Sequence, residues 1–241
     1  MARTRLTLPE IAGTSGAAPR SGGRGMIGRG AYESLRTAIL NCSFTPGMAL
    51  SEVAVSEELG VSRAPVRDAF RRLVGEGLLE VIPQRGTFVT LLSRARIEDA
   101  IFVREVIECR AAELAAQAPL AERQKLNDAL ARQVEASDQK NFLGHLMADE
   151  DMHYQILVLA GHRYAWQPLL LARTGMNRIR HIAIPELGGN RIAIDQHREV
   201  VNAILAGDSA RASEQMRVHI RSPLRFVDAI EARYPGYFGG D

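Results

Sequence analysis

Between Ala31 and Leu92 the hydrophobic spacing changes from the period of a helix to that of a strand, and the change falls across two glycines. Leu35, Ile39 and Leu40 recur at helical spacing, and Thr45-Pro46-Gly47 then forces a turn. Ser51 can cap a short second helix with Val53, Val55 and Leu59 apolar, and Gly60 ends it. After Val61, Ser62 can cap a third helix running to about Glu76, with Val66, Ala69, Phe70, Leu73 and Val74 as its inward stripe. Gly75 and Gly77 stop that helix. The runs LLEVIP and TFVTLL follow, separated by Gln84-Arg85-Gly86, and read as a hairpin. Helix, helix, tight turn, helix and hairpin in about 60 residues is the plan of a winged helix-turn-helix.

The third helix of such a plan lies in the DNA major groove, and residues of its first half reach base edges. Arg63, Arg67 and Arg71 stand at i, i+4 and i+8, so they share one face, turned away from Val66, Phe70 and Leu73. Arginine can take guanine O6 and N7 bidentately while its neighbours hold phosphates. Ser62 and the helix N-terminus add phosphate donors, and the short Gln84-Arg85-Gly86 tip lets backbone approach a groove. A solvated arginine face on an ordinary helix has the same spacing, and only the surrounding architecture favours DNA.

Composition supports a local face over a bulk field. Net charge is only +2, and arginine outnumbers lysine 28 to 2. Residues 1–28 are rich in Gly, Ser, Ala and Arg and are expected to be a disordered basic tail. Cys42 and Cys109 are far apart and form no CxxC pattern, which points to a reducing compartment. The longest apolar run, Ile156 to Ala160, is too short to span a bilayer, and a cytoplasmic protein without membrane contact is expected.

Past Ser93 the pattern is helical to the end. Helices are expected near 94–117, 121–138, 141–160, 163–182, 191–206 and 208–232, with Pro223 kinking the last. The expected fold is therefore mainly α: a winged helix-turn-helix domain over 29–92, an antiparallel bundle of six or seven helices over 93–234, and a tail over 235–241. Asp149 and His153 are four apart and project from one helix face, while His197 and His219 fall on later helices. One carboxylate and three imidazoles converging in a bundle suit zinc, nickel or manganese. His145 shares the Asp149 face and competes as a ligand; surface histidines are the plainer reading of the same residues.

The stretch Pro46-Gly47, Leu50, Gly60-Val61-Ser62-Arg63-Ala64-Pro65-Val66-Arg67-Asp68-Ala69, Leu73, Glu76-Gly77-Leu78 and Gly86-Thr87-Phe88-Val89 resembles the DNA-binding domain of GntR-type regulators. That resemblance implies operator contacts from Ser62, Arg63, Pro65, Arg67 and the wing around Gly86. Val53 stands where some relatives carry a DNA-contacting arginine, so that contact is expected to be missing. Residues 97–222 resemble the FadR-C-terminal (FCD) type of ligand domain, whose metal-binding members carry Asp-x3-His and two later histidines. Asp149 to His153, His197 and His219 match that pattern, which implies a divalent ion, zinc first. Arg104 matches a family arginine that points into the effector pocket, where it can hold a carboxylate bidentately. An Arg104–Glu108 surface pair is the competing reading. Asn177, Arg180 and His181 share a helix that can line the same cavity, but helical phase alone does not say which faces inward. A count of six bundle helices places the chain nearer the vanillate-regulator-like branch.

The resemblance implies a homodimeric repressor on double-stranded operator DNA, controlled by a small carboxylate; an activator or dual regulator stays open. The rival class, a metal-dependent enzyme, needs a base or nucleophile beside the ion. No G-x-S-x-G, Gly-rich phosphate loop or H-E-x-x-H occurs in the chain. No enzymatic activity is expected.

Overall fold

A computed structural model describes residues 24–187 and 189–239, so most of the expected N-terminal tail lies outside the described residues. The chain divides into two compact units, one of residues up to Ser93 together with Tyr234 onward, the other of Arg94–Arg233. No described helix is long and apolar enough to cross a membrane.

The first unit has helices α1 (Arg24–Leu40), α2 (Glu52–Leu59) and α3 (Arg63–Gly75) and strands β1 (Ala49–Leu50), β2 (Leu79–Ile82) and β3 (Gly86–Val89). Gly60 takes φ +63°, the left-handed conformation that closes α2 and starts the turn into α3. Ser51 and Ser62 occupy the expected N-cap positions with extended backbone, but neither side chain makes a cap hydrogen bond. The hairpin pairs Leu79 with Val89 and Ile82 with Gly86. Strand β1 joins β3 on its other side, pairing Ala49 with Phe88, so the antiparallel sheet runs β1-β3-β2. The sequence reading did not foresee β1, because two residues are too few to show an alternation.

Leu35, Ile39, Phe44, Leu50, Val55, Val66, Phe70, Leu73, Leu79 and Val89 close one hydrophobic core in this unit. Two expected core positions are corrected. Val74 is 38 % exposed and Val53 is 37 % exposed. Val74 directly follows Leu73, a step of about 100° off the buried stripe, and Val53 sits on the outer side of the short α2. The C-terminal residues belong to this unit as well. The Leu92 N–H donates to the Tyr237 carbonyl at 2.8 Å, and the Gly239 N–H donates to the Leu92 carbonyl at 3.0 Å.

The second unit is all helix: α4 (Arg94–Arg104), a π-helical turn (Glu105–Cys109), α5 (Arg110–Ala115), α6 (Leu120–Arg123), α7 (Leu126–Asp138), α8 (Phe142–Leu159), α9 (Trp166–Leu187), α10 (Gly189–Ala206), α11 (Ser209–Arg221) and α12 (Leu224–Arg233). The six expected helices are all present, with four differences. The first helix carries a π turn, which a wide turn at a functional position often marks. The second is broken at Gln124-Lys125 into α6 and α7. The fourth runs on through Pro185 to Leu187, whereas a break was expected at Pro185. Pro223 separates α11 from α12 instead of kinking one helix, since its ring lacks the N–H that would continue the ladder. Among the described residues the long helices number seven when α4 to α5 is taken as one, within the expected six or seven.

Leu73 is fully buried where α3 meets α1 and the sheet. Leu73→Ala is expected to cost about 2–5 kcal/mol through lost burial and the cavity left behind, read as a lower urea midpoint for the DNA-binding unit.

Candidate functional site: an exposed arginine row and a buried aspartate–histidine cluster

On α3 the amphipathic division is complete. Val66, Ala69, Phe70 and Leu73 are buried, and Ser62, Arg63, Arg67 and Arg71 are exposed, with Pro65 half-buried at the start of the helix. The row is lightly restrained: Arg67 Nε lies 3.5 Å from Glu52 Oε2, and Arg71 pairs with Asp68 one turn back. Arg72, also exposed, stacks against α1 instead, its guanidinium 3.5 Å from the centre of the Tyr32 ring. At the wing tip, Gln84, Arg85 and Gly86 are all exposed; Gln84 takes φ +62° and Gly86 φ +117°, which makes the turn tight.

In the helical unit, Asp149 and His153 of α8, His197 of α10 and His219 of α11 are all buried, and one ligand-type atom from each lies within 4.8 Å of the others. His197 Nε2 is 3.1 Å from His219 Nε2 and 3.4 Å from Asp149 Oδ1. His153 Nε2 is 4.0 Å from Asp149 Oδ2. Donors that share one first-row ion at about 2.0–2.2 Å must stand roughly 3–4 Å apart; the separations of 3.1, 3.4 and 4.0 Å meet this, the widest pair would draw in on binding, and the N/O character of the set suits such an ion. His145 is buried too, but it lies outside this group and approaches Gln133 instead.

A ring of charged groups surrounds the cluster. Arg180 grips Asp149 bidentately, with Nη1 to Oδ2 at 2.7 Å and Nη2 to Oδ1 at 2.6 Å, and Arg173 Nη2 donates to Oδ2 at 2.8 Å. Burial alone would raise the Asp149 carboxyl; Arg180, then the neighbouring rings and Arg173, outweigh it and hold the group well below the usual range. Glu108, on the π turn, accepts from Arg104 Nε at 2.6 Å and pairs with His153 Nδ1. Burial opposes its ionisation as well, and Arg104, His153 and Arg173 overcome that opposition. A carboxylate on the outer nitrogen of a histidine is the arrangement that orients metal-ligating imidazoles.

The Arg104–Glu108 pair therefore exists, but it is buried in the cluster and is not a surface pair. Helical phase on α9 is also settled: Arg180 and Asn177 face inward, Asn177 donating to Glu150 Oε1 at 3.0 Å, while His181 is half-buried. Sequence reasoning missed Arg173 and Gln133 and left Glu108 as a mere partner of Arg104. Arg173, Asn177 and Arg180 share one face of α9 at i, i+4 and i+7, and that polar stripe was the available signal. Arg104 Nη2 and Arg173 Nε are buried and make no hydrogen bond among the described residues.

An exposed arginine row on the third helix of a winged unit, joined to a bundle with a polar buried core, defines a class: a DNA-binding regulator with a ligand-sensing domain. Residues 28–89 match the family of bacterial regulatory proteins of the gntR type, and residues 99–222 match the FCD domain. The chain belongs to the GntR family, FCD group, and is a transcriptional regulator, not an enzyme. It is 34 % identical over 215 residues to an HTH-type transcriptional regulator in an unstable DNA locus of Streptomyces ambofaciens, covering 88 % of this chain and 90 % of that one. It is 29 % identical over 209 residues to the HTH-type transcriptional repressor RspR of Escherichia coli K12, covering 86 % and 91 %. A GntR transcriptional regulator from Rhodococcus sp. RHA1 shares the fold, with a TM-score of 0.70 at 24 % identity over 85 % of this chain and 99 % of that one.

Burial pushes His145 and His153 below their ordinary value of 6.5, and His197 and His219 well below it. The folded state keeps these rings neutral while the unfolded chain protonates them, so more protons bind the unfolded state below pH 6.5. Stability of the chelator-stripped protein is thus full above that pH and is lost as pH falls. Urea midpoints at pH 7.5 and 5.5 should show the drop, and equal midpoints would mean the rings are not held neutral.

Proposed function

We propose that the protein is a cytoplasmic homodimeric repressor that releases or rebinds its operator in response to a small carboxylate. The observation that carries this reading is the joint presence of the exposed Arg63/Arg67/Arg71 row and the buried Asp149/His153/His197/His219 cluster in one GntR-family chain. Two copies of α3 would enter adjacent major grooves of a palindromic site, following the two-fold axis of a dimer. Arg63 and Arg67 read bases, Ser62, Pro65 and Arg71 position the helix on the backbone, and Gln84, Arg85 and Gly86 bring the wing to the DNA. The name of the E. coli relative, a repressor, supports the sign of regulation.

Asp149, His153, His197 and His219 would hold a divalent ion, zinc before nickel or manganese, which supplies a Lewis-acidic anchor for a carboxylate. Charge also favours an anionic effector. Three buried guanidiniums, Arg104, Arg173 and Arg180, surround two buried carboxylates, Asp149 and Glu108, with neutral imidazoles between them. With Glu150, which accepts from Asn177 and acts on Arg180, that set is balanced, and a divalent ion would leave it with a positive excess that an anion can match. Arg104 Nη2 and Arg173 Nε have free donors to offer, so we add Arg173 to the expected effector residues Arg104, Asn177 and Arg180. Asn177 and Arg180 are already bonded to Glu150 and Asp149, and their part is to shape the polar wall. Coupling of such a ligand to DNA affinity is typically about 1–3 kcal/mol.

The deciding measurement is a fluorescence-anisotropy titration with the intergenic DNA beside the protein's own gene, against scrambled competitor at fixed salt. Selective binding that survives physiological salt is expected; weak binding equal to that of the competitor would overturn the reading. Arg67→Ala should weaken the specific complex by roughly 1–3 kcal/mol if Arg67 reads a base, with little change on scrambled DNA. His153→Ala combined with His197→Ala should remove bound metal in elemental analysis without dissociating the dimer. Retained stoichiometric metal would refute the ligand assignment.

A further inference from the structure

Gln133 is fully buried on the inner face of α7, between Ala129 and Ala136, where every other inward position is apolar. A buried amide with no partner would cost about 1–3 kcal/mol, so its hydrogen bonds must account for its presence there. Its Oε1 lies 2.7 Å from His197 Nδ1, and its Nε2 lies 3.4 Å from His145 Nε2. An amide oxygen can only accept, so His197 carries its proton on Nδ1. The neutral ring then has its lone pair on Nε2, the nitrogen that faces His219 and Asp149. The same amide donates towards His145 Nε2 and occupies the lone pair through which that ring would otherwise ligate.

We propose that Gln133 is a positioning residue that sorts the two imidazoles beside it: it sets His197 in the ligating tautomer and holds His145 back from the ion. This rests on the metal reading above, and it explains why His145, one turn from Asp149 on the same helix face, stays outside the group of four. The amide acts through His197.

The test uses the full-length protein and three variants, Gln133→Leu, Gln133→Glu and His145→Leu. Zinc affinity is measured by competition with a chromophoric chelator, and the His197 tautomer is read from imidazole ¹⁵N shifts in the metal-free protein. Gln133→Leu should keep its helical circular dichroism, lose the Nδ1–H tautomer of His197 and bind zinc roughly 10- to 100-fold more weakly, the usual effect of losing an orienting partner. Gln133→Glu keeps an acceptor at the same place, so it should restore both the tautomer and the affinity even if the leucine variant folds poorly. His145→Leu should leave zinc stoichiometry at one per chain. An unchanged His197 tautomer and unchanged zinc affinity in Gln133→Leu would overturn the role of Gln133, as would loss of zinc in His145→Leu. A wild-type protein that takes up no zinc yet shows the tautomer change would instead defeat the metal reading, and with it the sorting of ligands.

Discussion

The helical unit is organised by the need to pair charge that has been taken out of water. Asp149 is fully buried, and its two oxygens accept three hydrogen bonds from Arg173 and Arg180. An isolated carboxylate in that position would have to protonate or rehydrate. Instead α9 must lie against α8 in the one register that brings both guanidiniums onto it. Glu108 makes the same demand, with Arg104 of α4 on one side of it and His153 of α8 on the other. Breaking one partner of such a pair typically costs about 3–5 kcal/mol, because the other charge is left buried and alone. Hydrophobic packing gives the bundle its stability, while the charge network fixes which residues meet at its centre.

The two units differ in how much of them the sequence discloses. The winged unit is built from contacts that local spacing announces: a stripe on α3, a left-handed glycine at 60, a hairpin between two β-prone runs. Its errors are where spacing is thin, as in the two-residue β1 and at Val74 on the edge of the stripe. In the bundle, helix positions were legible for the same reason. The cluster was legible only where two members share a turn, Asp149 with His153 and Arg104 with Glu108. His197 and His219 were legible only as histidines on later helices, and resemblance to a family is what joined them to the pair. Arg173 and Gln133 meet their partners 24 and 64 residues away, and no local period encodes such a meeting. What does show in the sequence is the anomaly each one makes: a glutamine on an apolar face, and an arginine in line with two other polar residues.

The chain passes between its two units twice, at residues 93–94 and again at 233–234, and each unit ties the two passages together on its own side. In the helical unit, Arg94 at the start of α4 donates to Asp228 at 2.7 Å and Glu231 at 2.6 Å near the end of α12. In the winged unit, Leu92 bridges Phe238 in a short parallel pair. The helix that begins at Arg94 also carries Arg104 into the charged cluster ten residues later, just before the π turn that presents Glu108. A π turn is a local departure from the regular ladder, held in place by what its side chains bind. Arg104, the last residue of α4, and Glu108, on the π turn that follows it, are therefore paired one helical turn apart inside the helical unit.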